Sequence, residues 1–366
     1  MIYLDNAATT FIKPACVKEA VIRAMDTMSS PGRGTYKTAA RAAEELYECR
    51  KAAAELFNAG EPENVVFTMN ATHGLNIAVK SLTWPGCRAV ISGFEHNSVL
   101  RPLTASGAEI DTAGRKAFDS GNVLDEFEKK LPGADLTVCT HVSNVFGFIL
   151  PIYEIAELCR KNSVPLIVDA SQSAGILDVD MKKLGAAFTV MPGHKGLFGP
   201  QGTGLLLCAS GAEPLMEGGT GSDSESRFMP EYLPDRLEAG THNVCGIAGL
   251  RAGLNFIKGR GLKNIAAHEH ELLNILINSL SSSGYELFSG REQCSILSMR
   301  HPRISPEELS ERLSENGVCT RCGLHCAPLA HESAGTLDTG TLRLSFSPLT
   351  GREDAYNAAS LLREIV

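Results

Sequence analysis

The sequence predicts an α/β fold built on a buried, mostly parallel sheet, with a smaller α+β unit at the C-terminal end. Three observations carry this. Short, continuously apolar runs recur between residues 63 and 209, and several end in a polar turn. Stretches with helical spacing lie between several of them. The chain has 366 residues, 43% of them hydrophobic and 21% charged, enough for two domains or for one large domain with an appendage. Strands covered on both faces read as unbroken apolar runs, and intervening helices supply the crossovers that parallel strands require.

The elements follow in order. KTAARAAEELYECRKAAAELFNA (37–59) repeats apolar Ala39, Ala43, Leu46, Ala53, Leu56 and Phe57 at roughly helical spacing, which predicts a helix. ENVVFTM (63–69), RAVISG (88–93), DLTVCTHVS (135–143), PLIVDAS (165–171), AAFTVMPG (186–193) and TGLLLCA (203–209) are the strand candidates. PIYEIAELCRKNS (151–163) is a helix between two of them. Residues 211–243 are polar, bear Gly and Pro, and lack a clear period, so they predict a long functional connection. One long helix is expected over 244–281, with a boundary near 245–265. The expected division is an N-terminal segment 1–14 packing with the small domain, a large domain 15–250 and a small domain 251–366.

Composition narrows the function classes. The net charge of −8 and the absence of any basic run argue against nucleic acid or an anionic membrane as partner. MIYLDNAATT has no basic n-region and no long apolar core, and no apolar run reaches about 18 residues. Eleven cysteines without a secretion signal suggest free thiols in a reducing compartment, so a cytoplasmic location is expected.

In open parallel sheets, ligands sit beyond the C-terminal ends of the strands. VVFTM is followed by NATHGLN, where a helix start could offer the backbone N–H groups of Ala71, Thr72 and His73 to a phosphate. RAVISG is followed by His96, and TVCTHVS by Asn144. PLIV ends in Asp169, a carboxylate that is costly there unless something satisfies it, such as a protonated ring nitrogen. AAFTVMPG leads into His194 and Lys195 with glycines on both sides, which permit close backbone approach to a ligand. A lysine so placed can lose its proton and become a nucleophile toward a carbonyl. Pyridoxal 5′-phosphate asks for a lysine, an acidic partner for its ring nitrogen, a helix start for its phosphate and a stacking face. Lys195, Asp169, the Ala71–Thr72 turn and His96 supply these in turn.

The same motifs resemble those of class V aminotransferase-fold enzymes, close to the cysteine desulfurases and selenocysteine lyases. The resemblance runs through YLDNAATT (3–10), EH (95–96), VSNVFG (142–147), VDASQSAG (168–175), GHKGLFGPQGTG (193–204), EAGTHN (238–243), GLHCAPLAH (323–331) and TLRLSFS (341–347). It implies a fold-type I pyridoxal-phosphate-dependent enzyme. By position, Lys195 resembles the Schiff-base lysine and Asp169 the partner of the pyridine nitrogen. The resemblance further implies that Gln172 and Asn144 lie near the ring hydroxyl, that His96 stacks on the ring, and that Thr72 and His194 hold the phosphate. Thr241 resembles a phosphate contact reaching in from a second subunit, which implies a homodimer. Arg343 resembles the arginine that clamps the substrate carboxylate, and Arg33 and Arg321 match arginines at the substrate entrance. Cys326 resembles the cysteine that takes sulfur from L-cysteine as a persulfide, leaving L-alanine, with a sulfur-acceptor protein as a possible partner. The short segment around it resembles the compact type of loop. This chain departs from the pattern at Pro192, where a serine is common, and in SFSPLTGRED after Arg343.

CTRCGLHCAPLAH (319–331) carries three cysteines and two histidines, and a zinc module is the competing reading of that stretch. Structural zinc sites commonly use two short-spaced ligand pairs separated by a longer loop, whereas here every candidate crowds into one segment. No metal site is therefore expected. Inside the fold, a selenocysteine lyase, a cystine C–S lyase or a transaminase would use the same lysine and aspartate.

Overall fold

The computed structural model describes residues 1–32, 34–209 and 211–366. Its strands are β1 (Ile2–Tyr3), β2 (Val65–Thr68), β3 (Arg88–Ser92), β4 (Glu109–Ala113), β5 (Leu136–Thr140), β6 (Leu166–Asp169), β7 (Phe188–Pro192) and β8 (Gly204–Cys208). The C-terminal part adds β9 (Glu286–Phe288), β10 (Ile296–Arg300), β11 (Val318–Cys319), β12 (Arg321–Gly323) and β13 (Thr341–Ser345). A seven-stranded sheet has the order β2-β8-β7-β6-β5-β3-β4. From β4 to β7 every pairing is parallel, and β8 alone runs against its neighbours.

Alternation along the strands explains why the sheet is covered on both sides. Leu166 and Val168 of β6 join one apolar cluster and Ile167 joins another; Leu205 and Leu207 of β8 divide from Leu206 and Cys208 in the same way. Helices Lys37–Phe57 and Val244–Arg260 cover the first face, and helices Ala71–Leu82 and Asn97–Ala105 the second. Each fully buried Leu, Ile or Val in these layers contributes roughly 1.5–3 kcal/mol of transfer free energy. β4 pairs to one side of β3 and β5 to the other, so the strand order reverses there. A crevice outside the strand ends is the expected ligand position at such a reversal.

Beyond residue 281 a four-stranded antiparallel sheet, β12-β13-β10-β9, packs over its own apolar cluster. That cluster takes in Leu4 from the start of the chain, with Ile2 packed against it. β1 pairs in parallel with β11, and the Ser345 N–H donates to the Leu4 carbonyl at 2.7 Å. The same segment reaches the large sheet, where the Thr10 hydroxyl donates to the Lys195 carbonyl at 2.8 Å.

Two expectations need correction. The single helix over 244–281 is two helices, Val244–Arg260 and Leu262–Leu280, because Gly261 adopts φ +81 and breaks the ladder. β4 is a strand that the apolar runs do not announce, since Glu109–Thr112 lie half-exposed at the sheet edge. Among the described residues, no helix is long and apolar enough to cross a membrane.

Candidate active site

The strand ends converge on one cavity of about 220 Å³. Lys195, His194 and Asp169 line it from β7 and β6, and Asn144 and His96 from the turns after β5 and β3. Ala71, Thr72 and Gln172 complete the predicted set that meets there. Thr241 lies elsewhere: it is exposed and lines a separate cavity of about 200 Å³ with Phe67, Glu238 and His242. Arg33 falls outside the described residues.

Local backbone chemistry sets each group. Asn70 caps the helix Ala71–Leu82, its side chain accepting from the His73 N–H at 2.9 Å. His73 is therefore not available to a ligand as the sequence suggested, while the amides of Ala71 and Thr72 remain in the first turn. His96 caps the next helix: its Nδ1 accepts from the Ser98 N–H at 3.0 Å, which leaves the ring proton on Nε2. The Ser98 hydroxyl joins His96 Nδ1 (2.9 Å) to the Thr72 hydroxyl (2.8 Å), so one serine links the stacking candidate to the phosphate candidate. Asp169 is buried, and its Oδ1 accepts from the Ser171 N–H at 2.9 Å. Its Oδ2 has no protein partner among the described residues, which leaves an acceptor for a ring N–H. Gln172 donates one amide hydrogen to the Ala7 carbonyl at 3.0 Å and keeps a second donor. Lys195 is followed by Gly196, where a Cβ would stand 2.3 Å from the Ala174 carbonyl, so only glycine lets the lysine loop lie this close to the turn after β6.

Electrostatics follow from burial. Burial lowers the Lys195 ammonium to about 8; Arg343 and Arg321 push the same way, and Asp169 opposes them. Burial, with the Lys195 charge, lowers His96 and His194 to about 4, so both rings are neutral at pH 7. Lys195 makes no ion pair among the described residues, and its amine is free to act as a nucleophile.

Cys326 stands at the tip of a tight turn. His325 and Cys326 have φ of +49 and +58, and the Ala327 N–H donates to the Leu324 carbonyl at 2.9 Å, the signature of a type I′ turn. Such turns favour Gly, Asn and Asp, so the His–Cys pair carries strain of roughly 1–3 kcal/mol per residue. The turn is tied to the cavity walls. Asn144 Nδ2 donates to the His325 carbonyl at 2.8 Å, and the Asn97 N–H to the Cys326 carbonyl at 2.8 Å. Cys326 itself is exposed. The His325 ring is buried beside the Thr341 carbonyl (3.2 Å), and burial with the Arg343 charge lowers it to about 2. It is a neutral structural ring, as is His331, which bonds the Thr336 hydroxyl at 2.7 Å. Cys319 and Cys322 lie on β11 and β12, so the C-x-x-C pair spans two strands.

Arg343 is buried on β13, where Nη1 donates to the Asn144 carbonyl at 2.9 Å and Nη2 to Asp5 Oδ1 at 2.7 Å. Arg321 lies across from it on β12 and is exposed. Sequence reasoning gave no role to Ser98, Asp5 or Asn97. The YLDNAATT motif was the available signal for Asp5, Asn97 was marked only by its place beside His96 after the RAVISG run, and nothing marked Ser98.

The whole chain has known relatives. Residues 2–357 match the family model "Aminotransferase class-V". A probable cysteine desulfurase of Methanothermobacter thermautotrophicus is 33% identical over 379 residues, covering 100% of this chain and 94% of that protein. The apo structure of a cysteine desulfurase from Thermococcus onnurineus superposes with a TM-score of 0.91 at 30% identity, covering 100% of this chain and 94% of the other. A cysteine desulfurase of Escherichia coli gives 0.88 at 25%, covering 100% and 95%. With its parallel sheet, its lysine after β7 and its aspartate ending β6, the chain belongs to the class V aminotransferase family.

Proposed function

We propose that this protein is a pyridoxal-phosphate-dependent cysteine desulfurase, converting L-cysteine to L-alanine with a persulfide on Cys326. The observation that carries the reading is the exposed Cys326 turn, hydrogen-bonded through Asn144 and Asn97 to the walls of the Lys195 cavity. The donor set suits the cofactor: an unpaired lysine, a free aspartate oxygen, two open amides at a helix start and a neutral imidazole. Lys195 would hold the aldehyde carbon and Asp169 the ring nitrogen, with His96 against the ring and Gln172 and Asn144 near its hydroxyl. Ala71, Thr72 and His194 would hold the phosphate, joined by Thr241 of a second copy in a homodimer. When bound, the pyridoxal ring supplies an electron sink at the substrate Cα.

The protein's own groups do the rest. Arg343 orients the substrate carboxylate, with Arg321 across from it on β12; Arg33 is given a part in this by the family resemblance alone. The Lys195 amine would take the substrate Cα proton, a task eased by an ammonium lowered to about 8. Cys326 Sγ attacks the substrate sulfur as a thiolate; the S–S bond forms while the substrate Cβ–S bond breaks, and its electron pair passes to Cβ. Proton delivery to carbon then completes L-alanine. The exposed persulfide suits transfer to the thiol of an acceptor protein. The reading places the enzyme in the cytoplasm and divides it at 1–14, 15–250 and 251–366, the last part carrying the cysteine turn.

The test is product analysis with L-cysteine and L-selenocysteine. Wild type should give alanine and a persulfide from L-cysteine, and Cys326→Ser should give neither. Alanine from L-selenocysteine alone would point to selenocysteine lyase, and Cys326-independent transfer to a keto acid to a transaminase.

A further inference from the structure

The segment after β1 is fastened to the lysine loop. The Thr10 N–H donates to the His194 carbonyl at 3.0 Å and the Thr10 hydroxyl to the Lys195 carbonyl at 2.8 Å. The Tyr3 hydroxyl donates to the Thr9 carbonyl at 2.9 Å. Thr9 is therefore placed by contacts that do not use its own side chain. Its hydroxyl reaches two acceptors, the His194 carbonyl at 3.3 Å and His194 Nδ1 at 3.1 Å. A hydroxyl has one hydrogen, and a carbonyl has two lone pairs. The Thr10 N–H and Lys13 Nζ, both at 3.0 Å, take those two. The Thr9 hydrogen is left for Nδ1. His194 is neutral at pH 7, because burial, with the Lys195 and Lys13 charges, lowers it to about 4. With Nδ1 accepting, the one ring proton sits on Nε2. Nε2 has no partner among the described residues, and His194 lines the Lys195 cavity. Pro192 lines it too, with neither an N–H nor a hydroxyl to offer.

We propose that Thr9 is a positioning residue that fixes His194 as the tautomer with its proton on Nε2, so that the ring meets the cofactor phosphate as a hydrogen-bond donor. The proposal rests on the reading of His194 as a phosphate contact. Lys13 is the second member of the device: it occupies the lone pair to which the Thr9 hydroxyl would otherwise turn. The other tautomer, with the proton on Nδ1, would set the Nε2 lone pair against the phosphate oxygens. One threonine thus decides whether this ring attracts or repels the phosphate.

The test titrates full-length protein, freed of cofactor, with pyridoxal 5′-phosphate and with pyridoxal, and reads the ratio of their affinities. Both aldehydes meet the same lysine, so the ratio isolates the phosphate. Thr9→Val, which keeps the shape and removes the hydroxyl, should lower the preference for the phosphorylated form about fivefold, the order of one neutral hydrogen bond. Thr9→Ser should restore it. In a His194→Ala background, adding Thr9→Val should leave the ratio unchanged, because Thr9 acts through the ring. Lys13→Met, which frees the carbonyl lone pair, should lower the ratio in the same direction as Thr9→Val. A merely structural role would weaken both ligands alike. The tautomer is also read directly: by NMR of wild type carrying isotope-labelled histidine, with the His194 ring assigned by its loss in His194→Gln, Nε2 should bear the proton. An unchanged ratio in folded Thr9→Val overturns the proposal, as does an equal fall in Thr9→Ser, a further fall in the His194→Ala background, or a proton on Nδ1. If Thr9→Val does not fold, the NMR tautomer and the Lys13→Met ratio decide. Equal binding of the two aldehydes by wild type overturns it together with the cofactor reading. A clear preference without alanine formation counts against the desulfurase reaction alone, because the ratio does not depend on turnover.

Discussion

Glu238→Gln should destabilise the protein far more than its surface-loop setting suggests. Residues 211–243 are largely irregular, yet Glu238 is buried and bonded on every side. Its Oε1 accepts from Arg50 Nη1 at 2.7 Å and from the Phe67 N–H at 2.6 Å; its Oε2 meets Arg50 Nη2 and His242 Nε2, both at 2.5 Å. The Arg50 guanidinium also lies 4.2 Å above the Phe67 ring. One carboxylate thus ties the helix Lys37–Phe57 and β2 to the segment that carries Thr241. Removing one partner of a buried pair costs about 3–5 kcal/mol, because the other charge stays behind without compensation. Glutamine keeps the shape and one acceptor, so the lower end, about 3 kcal/mol, is expected in urea denaturation at pH 7. Pairing it with Arg50→Met should cost less than the sum of the single changes, since no lone charge remains. Acid adds a second reading. Burial would raise the Glu238 carboxyl, but Arg50 and His242 overrule it and hold the group below its ordinary value. Its contribution is therefore intact above the unfolded carboxyl pKa of about 4.3 and drains away as pH falls through the lower folded value. The Glu238→Gln penalty should shrink across that window. A loss under about 1 kcal/mol at pH 7, the range of an exposed pair, or a penalty that does not shrink in acid, would refute the argument.

Other outcomes follow from the site. In cofactor-free protein, acylation of Lys195 should rise with pH through about 8, and Asp169→Asn should move that midpoint lower because Asp169 raises it; peptide mapping by mass spectrometry reads both. Lys195→Ala should abolish the yellow absorbance of the reconstituted protein and all alanine formation. Of the eleven cysteines, only Cys16 and Cys326 are exposed, so a brief iodoacetamide pulse should label two thiols in wild type and one in Cys326→Ser. Gly196→Ala should cost about 1–3 kcal/mol in thermal unfolding, because its Cβ has no room beside the Ala174 carbonyl.

The strand ends were legible because an apolar run that stops at Asp169 or at His194-Lys195 is a break that burial alone does not explain. The parallel sheet then brought those breaks to one edge, and order along the chain became proximity in space. Where the sequence misled, the determining contact was either weak or distant. A glycine inside a helical pattern costs only about 1 kcal/mol, so Gly261 gave little sign that it ends a helix. β4 shows no apolar run because an edge strand needs none. Asn70 takes the His73 amide through a cap that is local and readable, but its consequence is to subtract a ligand contact from the expected set. The contacts that hold Arg343 and the thiol turn join residues far apart in the chain: Asp5 to Arg343, Asn144 to His325, Asn97 to Cys326. No periodicity encodes such pairs. They explain why the thiol turn holds two residues at positive φ: hydrogen bonds from both cavity walls to the two carbonyls of the turn offset strain that a free loop would relax. The cysteine turn is thus held by the same loops that shape the Lys195 cavity, and loosening Asn144 should release the turn as well as perturb the cavity.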